Sequence, residues 1–170
     1  MAIPVVVMGA AGRMGTMLVR MVAEAEDLEL AAVIERESQL EAVEKYGCLS
    51  GSDISAVLAR LEKTPVIIDF TAPSASLDTA KAAAAAKAPI VIGTTGFTQE
   101  EKNTLEYLAA QTPLFWSPNM SVGVNVLLKV LPELTKLLGA EYDIEMTEIH
   151  HNKKKDAPSG TAVRLAETLA

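Results

Sequence analysis

The feature that most constrains this chain is a glycine-rich turn that joins an apolar run to a helical pattern. The run Ile3–Met8 is almost wholly apolar, as is typical of a strand buried on both faces. Gly9, Gly12 and Gly15 follow it, and apolar residues then recur at helical spacing. A tight turn, close approach of the backbone to a pyrophosphate, and close packing of helix on strand all require glycine. The turn therefore predicts a βαβ unit that binds a dinucleotide at the N-terminus of its helix. Its G-x-x-G-x-x-G spacing is one residue longer than the common dinucleotide pattern, and the alternative is a glycine turn in an unrelated βαβ unit.

Apolar runs and helical patterns continue to alternate after this unit. The predicted strands are 3–8, 28–34, 65–70, 89–92 and 113–116, and the later predicted helices are 38–47, 53–61, 76–87 and 98–111. Thr98 and Glu101 form a capping-box pattern, and Asp53 is a predicted N-cap. Such alternation through short connections predicts an α/β fold, a Rossmann-like doubly wound parallel sheet.

The pattern changes after Met120. A long apolar helix is predicted over 122–138, kinked or broken near Pro132, followed by a strand over 143–149 and a helix over 159–170. We therefore predict a dinucleotide-binding domain at 1–121 and the start of a second α+β substrate domain at 122–170. One strand between two helices leaves sheet edges unpaired, so its partner strands would come either from another chain or from a longer protein of which this chain is the N-terminal part. We expect the second.

Charge and composition narrow the classes of ligand. The net charge of −7 over 170 residues argues against general nucleic-acid binding, which usually needs a basic face. Residues 150–170 nevertheless carry four basic and two acidic side chains, which would attract a small anion. The sequence contains one cysteine, no signal-peptide pattern and no apolar run near the ~18 residues of a membrane span. We expect a cytoplasmic protein that binds neither membrane nor nucleic acid.

Charged residues near the glycine turn are candidates for binding the dinucleotide. Glu35 ends the second predicted strand, where a carboxylate can bind ribose hydroxyls. Arg36 follows it and could hold a 2′-phosphate, so the sequence leaves both NADH and NADPH open. Arg13 lies within the turn and could also reach a phosphate. Each arginine is explained equally well as an exposed surface charge.

Small and hydroxylated residues follow three later predicted strands, at 70–73, 93–95 and 117–120. Ligands of open α/β sheets bind outside the carboxyl ends of the strands. These residues could therefore approach a nicotinamide ribose and carboxamide. Ordinary strand-to-helix turns explain each of them about as well.

A second polar stretch, Glu148–Thr161, connects the last predicted strand to the last predicted helix. His150 and His151 would point to opposite faces of a strand, so one of them at most would transfer a proton directly. Of the three lysines at 153–155, one is expected to be functional and two to be solvated. The helix start at 159–161 would favour a carboxylate. The spacing matches no common zinc pattern, so no metal is predicted.

The segment 150–162, H-H-x-x-K-x-D-A-P-S-G-T-A, resembles the signature of the dihydrodipicolinate reductase (4-hydroxy-tetrahydrodipicolinate reductase) family. The runs G-A-A-G-R-M-G, G-T-T-G and P-N-M-S-V-G-V-N resemble the same family in the same order, so the resemblance spans essentially the whole chain. It implies an oxidoreductase of diaminopimelate and lysine biosynthesis. Such an enzyme reduces 4-hydroxy-tetrahydrodipicolinate, a small dicarboxylate, to tetrahydrodipicolinate by hydride transfer from NADH or NADPH.

The resemblance also implies roles for individual residues. His150 would donate a proton, with Lys154 as its catalytic partner, and the substrate carboxylate would be bound by His151, Gly160 and Thr161. The cofactor would be lined by Gly9, Ala10, Ala11, Gly12, Arg13, Met14, Glu35, Arg36, Gly93, Thr94, Thr95, Ser117, Pro118, Asn119 and Met120. Full-length family members are homotetramers built on a second sheet that continues past Ala170, so this short chain is not expected to contain that whole sheet.

Other interpretations of the residues remain open. Another two-domain NAD(P)-dependent oxidoreductase would also need the glycine turn, but the residues after its second-domain strand would differ. A nucleotide-binding sensor, or an inactive nucleotide-binding fragment, would need the turn without the histidine and lysines. Cys48 as a nucleophile is a weaker alternative to a structural thiol.

Overall fold

The computed structural model describes residues 2–152 and 157–169, which divide into a first unit, Met1–Pro118, and a second unit, Asn119–Ala170. The strands of the first unit are β1 (Ile3–Met8), β2 (Leu28–Ile34), β3 (Leu49–Gly51), β4 (Val66–Asp69), β5 (Ile90–Ile92) and β6 (Leu114–Trp116). Its helices are α1 (Arg13–Glu24), α2 (Leu40–Val43), α3 (Ile54–Leu58), α4 (Pro73–Ala86) and α5 (Gln99–Ala109), with 3₁₀ helices at Glu37–Gln39 and Glu44–Tyr46.

The six strands form one parallel sheet in the order β3-β2-β1-β4-β5-β6. The chain runs outward from β1 to β3 and then returns to place β4 on the other side of β1. This reversal between β1 and β4 is the switch point of a doubly wound sheet. The predicted α/β, Rossmann-like fold class is therefore confirmed.

Both faces of the sheet are buried at its centre, which is why the central strand β1 is an almost continuous apolar run. Successive residues of β1 point to opposite faces. Val6 lies in a core cluster with Ala80 and Leu105 from the helices on one face. Val5 and Val7 lie in a second cluster, which contains residues of α1. The apolar residues of each helix thus match one face of the sheet.

Helices α4 and α5 show how local sequence sets helix bounds. The alanine-rich α4 buries Ala80 and Ala83 completely, which lets its backbone lie close to the sheet. It begins at Pro73, earlier than the predicted start, because proline is tolerated in a first turn where its missing N–H has no helical partner. The predicted capping box of α5 is confirmed, since Thr98 and Glu101 each accept a hydrogen bond from the other's backbone N–H.

The segment between β2 and β4 differs from the prediction. The predicted helix 38–47 is instead the short α2 between two 3₁₀ helices, and the three-residue strand β3 was not predicted at all. Three residues are too few for a recognisable periodicity, and β3 is defined by its pairing with Ala32–Ile34 of β2. The N-cap prediction is confirmed, because the Asp53 carboxylate accepts the N–H groups of Ser55 and Ala56.

The described part of the second unit contains two helices, α6 (Val122–Leu138) and α7 (Gly160–Leu169). Helix α6 continues through Pro132, so the predicted break is absent. The predicted strand at 143–149 is wrong, because none of these residues is in a strand. A strand requires a paired neighbour, and Ile144 and Ile149 are instead exposed. No helix in the described ranges is long and apolar enough to cross a bilayer.

Gly15→Ala tests the close packing of α1 on the glycine turn. A Cβ at Gly15 would overlap the carbonyl oxygen of Gly9 and lie 2.7 Å from the Cα of Ala10, both in the backbone. We expect the free energy of unfolding to fall by about 2–3 kcal/mol, as for overpacked cores. The measurement is urea unfolding followed by fluorescence of Trp116, the sole tryptophan, which lies in the same unit.

Gly12→Ala is the matched control for this substitution. Its Cβ would lie 3.1 Å from the carbonyl oxygen of Gly9, a contact that a small shift relieves. We expect a loss of about 1 kcal/mol or less. Equal losses in the two variants would contradict the close-packing role of Gly15.

Candidate functional site

A cleft of about 650 Å³ lies at the carboxyl ends of β1, β2 and β4. The residues that line it come from the glycine turn and the start of α1, from the ends of β2 and β3, from the 3₁₀ helix Glu37–Gln39, and from the turn after β4 with the start of α4. They include Gly9, Ala11, Gly12, Arg13, Met14, Gly15, Glu35, Arg36, Gln39, Ser52, Phe70, Thr71, Ala72 and Ala75. The cleft therefore lies at the switch point of the sheet, where open α/β sheets bind their ligands.

The glycine turn is held tightly at this switch point. Gly9 has φ +63°, and a Cβ there would lie 2.8 Å from the Thr71 methyl, so conformation and space both favour glycine. Its N–H donates to the carbonyl oxygen of Ile34 at 2.8 Å. Below the turn, the carbonyl oxygen of Ala10 accepts hydrogen bonds from the hydroxyls of Thr16 and Tyr46, each at 3.3 Å.

The N-terminus of α1 is suited to an anion. Gly12 is its N-cap residue and makes no side-chain capping hydrogen bond, and its first turn contains no acidic residue. The N–H groups at the start of a helix lack helical partners and carry the positive end of its dipole. Gly12, Arg13 and Met14 all line the cleft, so a pyrophosphate could lie against this helix start.

Glu35 connects the end of β2 to the glycine turn. Its side chain is buried, its Oε2 accepts the N–H of Ala11 at 2.9 Å, and its Oε1 accepts the N–H of Arg36 at 2.9 Å. A carboxylate has further lone pairs, so ribose hydroxyls could donate to the same oxygens. The Arg36 side chain is exposed, and its Nε lies 3.8 Å from Glu35 Oε1. Two backbone N–H groups thus fix the position of the Glu35 carboxylate.

The later strand ends form a second group of predicted cofactor residues on the same sheet. Gly93 and Ser117 donate backbone hydrogen bonds to the carbonyl oxygens of Asp69 and Ile92. A Cβ at Gly93 would overlap the Phe70 ring, so Gly93 makes room for this cleft residue. The predicted residues of the first unit that do not line the cleft are Ala10, Gly93, Thr94, Thr95, Ser117 and Pro118.

The polar stretch of the second unit is organised around Glu148. Its Oε1 accepts the N–H of Ser159 at 2.8 Å, and its Oε2 lies 3.5 Å from Nδ1 of His150. Ser159 in turn caps α7 by accepting the N–H of Ala162 at 3.1 Å. The predicted proton donor and the predicted carboxylate-binding helix start are therefore joined by one carboxylate.

The other predicted site residues of the second unit are Asn119, Met120, His151, Lys154, Gly160 and Thr161. Asn119 donates from Nδ2 to the Thr161 hydroxyl at 3.1 Å, which connects one predicted cofactor residue to one predicted substrate residue. Gly160 is the first residue of α7, and Met120 and His151 are exposed. Lys154 lies outside the described residues, so its role stays a prediction. Within ranges 2–152 and 157–169, no group of three or more His, Cys, Asp or Glu side chains could hold a metal ion.

Several residues at the site were missed by the sequence prediction. Gln39 and Ser52 line the cleft, and Ser52 directly follows the unpredicted strand β3, so recognising that strand would have found it. Asp69 and Ser76 are fully buried at the carboxyl end of β4 and in α4. A charged residue at the end of an otherwise apolar strand was the available signal for Asp69.

The Cys48 thiol is half-buried, and this burial raises its pKa above the ordinary value, although a backbone hydrogen bond lowers it to a smaller extent. Since the thiolate is the nucleophile, a raised pKa makes Cys48 less reactive at neutral pH. This favours the structural interpretation of the thiol.

The raised pKa of Cys48 leads to a test by alkylation with iodoacetamide. We expect the rate at pH 7 to be lower in the folded chain than in the urea-unfolded chain. The rate should also rise with pH around a higher midpoint in the folded chain, because its thiolate forms later. Cys48→Ser corrects for labelling elsewhere, and a folded rate equal to or above the unfolded rate would contradict this expectation.

Comparison with known families gives two matches in chain order. The family model described as "Dihydrodipicolinate reductase, N-terminus" matches residues 3–120, and that described as "Dihydrodipicolinate reductase, C-terminus" matches residues 123–170. A 4-hydroxy-tetrahydrodipicolinate reductase of Nitratidesulfovibrio vulgaris (strain DP4) is 59% identical over 170 residues, which are 100% of this chain and 65% of that protein. One from Lawsonia intracellularis (strain PHE/MN1-00) is 49% identical with the same coverage. The chain thus spans 65% of the length of these relatives.

Solved structures show the same likeness. The dipicolinate-bound dihydrodipicolinate reductase from Paenisporosarcina sp. TG-14 has a TM-score of 0.79 and 29% identity, and the match covers 100% of this chain and 66% of that chain. The WlbA dehydrogenase from Bordetella pertussis, in complex with NADH and UDP-GlcNAcA, has a TM-score of 0.64 at 18% identity. That match covers 78% of this chain and 40% of the other, and it indicates a shared fold alone.

Proposed function

Because this chain belongs to the dihydrodipicolinate reductase family, we propose that it carries the cofactor site and part of the substrate site of a 4-hydroxy-tetrahydrodipicolinate reductase. The reaction reduces 4-hydroxy-tetrahydrodipicolinate to tetrahydrodipicolinate in diaminopimelate and lysine biosynthesis, with a hydride and a proton taken up and the 4-hydroxyl group released as water. The observation that carries this proposal is the match of both family models, in order, to 3–120 and 123–170. Family membership and the Rossmann-like fold together imply a nicotinamide cofactor.

The cleft at the switch point fits the dinucleotide. The uncapped start of α1 would hold the pyrophosphate, close to Gly12 and Arg13. Glu35 would accept hydrogen bonds from the ribose hydroxyls of the adenosine half, while Arg36 would pair with a 2′-phosphate where one is present. We propose that both NADH and NADPH are accepted, because the carboxylate and the guanidinium are adjacent at the same edge of the cleft.

The nicotinamide half belongs on the other side of the switch point. Dinucleotides extend across the crevice from one half of a doubly wound sheet to the other. Since Glu35 follows β2, the opposite half of the ligand would lie over the ends of β4, β5 and β6. The residues proposed to contact it are Gly93, Thr94, Thr95, Ser117, Pro118, Asn119 and Met120.

The second unit would supply the proton and bind the substrate. Bound NADH or NADPH supplies the hydride, and reduction of the unsaturated substrate also needs an acid. We assign that role to His150, with Lys154 as its partner. Glu148 would orient the His150 imidazole through Nδ1, as a carboxylate does in many acid–base sites.

Substrate binding is assigned to the same polar stretch. The start of α7, at Gly160 and Thr161, together with His151, would bind a substrate carboxylate, because helix N–H groups and the helix dipole favour anions. The basic side chains at 150–170 would attract a dicarboxylate to an otherwise acidic chain. A homotetramer and a cytoplasmic location are proposed from the family resemblance.

Arg36→Ala tests the cofactor assignment in this chain. Removal of the guanidinium should weaken NADPH binding about tenfold, because a charge-assisted contact to the 2′-phosphate is lost. NADH affinity should change by less than about twofold, since NADH has no phosphate there. Isothermal titration with each cofactor measures both values. Equal losses for NADH and NADPH would reject a phosphate contact at Arg36.

Substitution of His150 or Lys154 tests the catalytic assignment. His150→Ala and Lys154→Ala should each lower kcat by about 10²–10⁴-fold, the usual contribution of a general acid. Their affinity for NADH should remain unchanged, because neither residue is assigned to the cofactor. The assay follows NADH oxidation at 340 nm with the cyclic substrate.

Lys153→Ala and Lys155→Ala are matched controls for Lys154→Ala, as neighbouring lysines of the same run. Both should retain turnover within about threefold, as expected for solvated charges. Wild-type turnover in the His150 and Lys154 variants would overturn the assigned mechanism.

A further inference from the structure

A chain of buried hydrogen bonds joins the turns that follow β4 and β5. It begins at Asp69, the last residue of β4, whose side chain is completely buried. Its Oδ1 accepts three hydrogen bonds, from the Thr71 N–H at 2.8 Å, the Thr71 hydroxyl at 2.6 Å and the Ser76 hydroxyl at 3.0 Å. One carboxylate oxygen thus organises the turn after β4 and the first turns of α4.

The series of hydrogen bonds continues from Ser76 to the turn after β5. Ser76 is completely buried, and its Oγ lies 2.7 Å from the hydroxyl of Thr94, which is 4% exposed. The single proton of Ser76 is donated to Asp69, so the Thr94 hydroxyl must be the donor to Ser76. The hydrogen bonds therefore run in one direction, from Thr94 through Ser76 to Asp69.

The far end of this hydrogen-bond network reaches a third strand, β6. The indole Nε1 of Trp116, the last residue of β6, donates to the carbonyl oxygen of Thr94 at 3.0 Å. The turn after β5 is thus held from one side by the Thr94 hydroxyl and from the other by its carbonyl. The carboxyl ends of β4, β5 and β6 are fixed relative to each other by polar groups.

The same network also orients a residue that lines the cleft. Because the Thr71 hydroxyl is directed to Asp69, its methyl group is directed to the glycine turn, where a Cβ on Gly9 would lie 2.8 Å from it. Thr71 is therefore presented to the cleft in one orientation. Apolar packing alone would not distinguish the methyl from the hydroxyl in this way.

We propose that Asp69 and Ser76 are positioning residues, which hold the turns after β4 and β5 in the geometry that receives the nicotinamide half of the cofactor. This inference rests on the proposed function. Neither residue needs to touch the ligand, because both are completely buried and act through Thr71 and Thr94. The adenosine and pyrophosphate half binds at the glycine turn and Glu35, so it should not depend on this network.

The test compares NADH with ADP-ribose, which lacks the nicotinamide, by isothermal titration of the 170-residue chain. Ser76→Ala and Thr94→Val each remove the link between the two turns. Each should weaken NADH binding about tenfold, the effect of one buried hydrogen bond, and change ADP-ribose binding by less than about twofold. Thr79→Val is the matched control, because it removes a buried hydroxyl of α4 that lies outside this network and donates to the carbonyl oxygen of Ala75. It should bind NADH as the unaltered chain does.

A double-mutant cycle separates positioning from direct contact. Because Ser76→Ala and Thr94→Val break the same link, the double variant should lose no more NADH affinity than about one single variant does. A loss in Thr94→Val without a loss in Ser76→Ala would come from the proposed contact of Thr94 with the nicotinamide alone, and it would overturn the inference. Additive losses, or equal losses of NADH and ADP-ribose affinity, would also overturn it.

Two further observations distinguish this inference from the proposed function. If the unaltered chain binds ADP-ribose but not NADH, the proposed nicotinamide site fails, and the positioning role fails with it. If the unaltered chain binds NADH and both Ser76→Ala and Thr94→Val match it, the cofactor assignment stands and the positioning role alone is overturned. Circular dichroism spectra confirm that each variant is folded before titration.

Discussion

The close approach of α1 to the carboxyl end of β1 is the constraint on which the first unit depends. Gly15 brings the helix against the turn, and Gly9 turns the chain with a positive φ. This packing places the start of α1 at the point where the sheet reverses direction. The same backbone that closes the turn therefore also provides N–H groups to an anion, and a side chain at Gly15 would disturb both.

Buried polar groups keep this arrangement in one conformation. The Glu35 carboxylate accepts a hydrogen bond from the N–H of Ala11. The carbonyl oxygen of Ala10 accepts hydrogen bonds from the hydroxyls of Thr16 and Tyr46. On the other side of the switch point, Oδ1 of Asp69 accepts three hydrogen bonds. A buried polar group is costly when its partners are lost, so these contacts specify where each turn lies. The two halves of the proposed cofactor site are in this way fixed by separate networks.

The second unit differs from the first in how little of its apolar surface is buried. Its helices leave many apolar side chains exposed, among them Val126, Val130 and Leu134 of α6. Apolar and polar residues alternate over 143–149 as they do in a strand, yet these residues are in no strand. Such alternation indicates which side chains could be buried on one face. It does not supply the neighbouring strand that hydrogen bonding requires. Glu148 nevertheless joins His150 to the start of α7 through local contacts, so the polar stretch is organised without a sheet.

The sequence by itself determined the helices and strands that are long enough to show a periodicity. It also determined the glycine turn, the N-terminal capping of α3 and α5, and the family to which the chain belongs. Only the tertiary structure decided the features that depend on residues distant in sequence. These are the pairing of β3, the hydrogen bond from Ala11 to Glu35, and the chain from Thr94 through Ser76 to Asp69. The physical reason is that periodicity reports which face of an element is apolar, whereas a hydrogen bond also requires the position of its partner, which folding alone supplies.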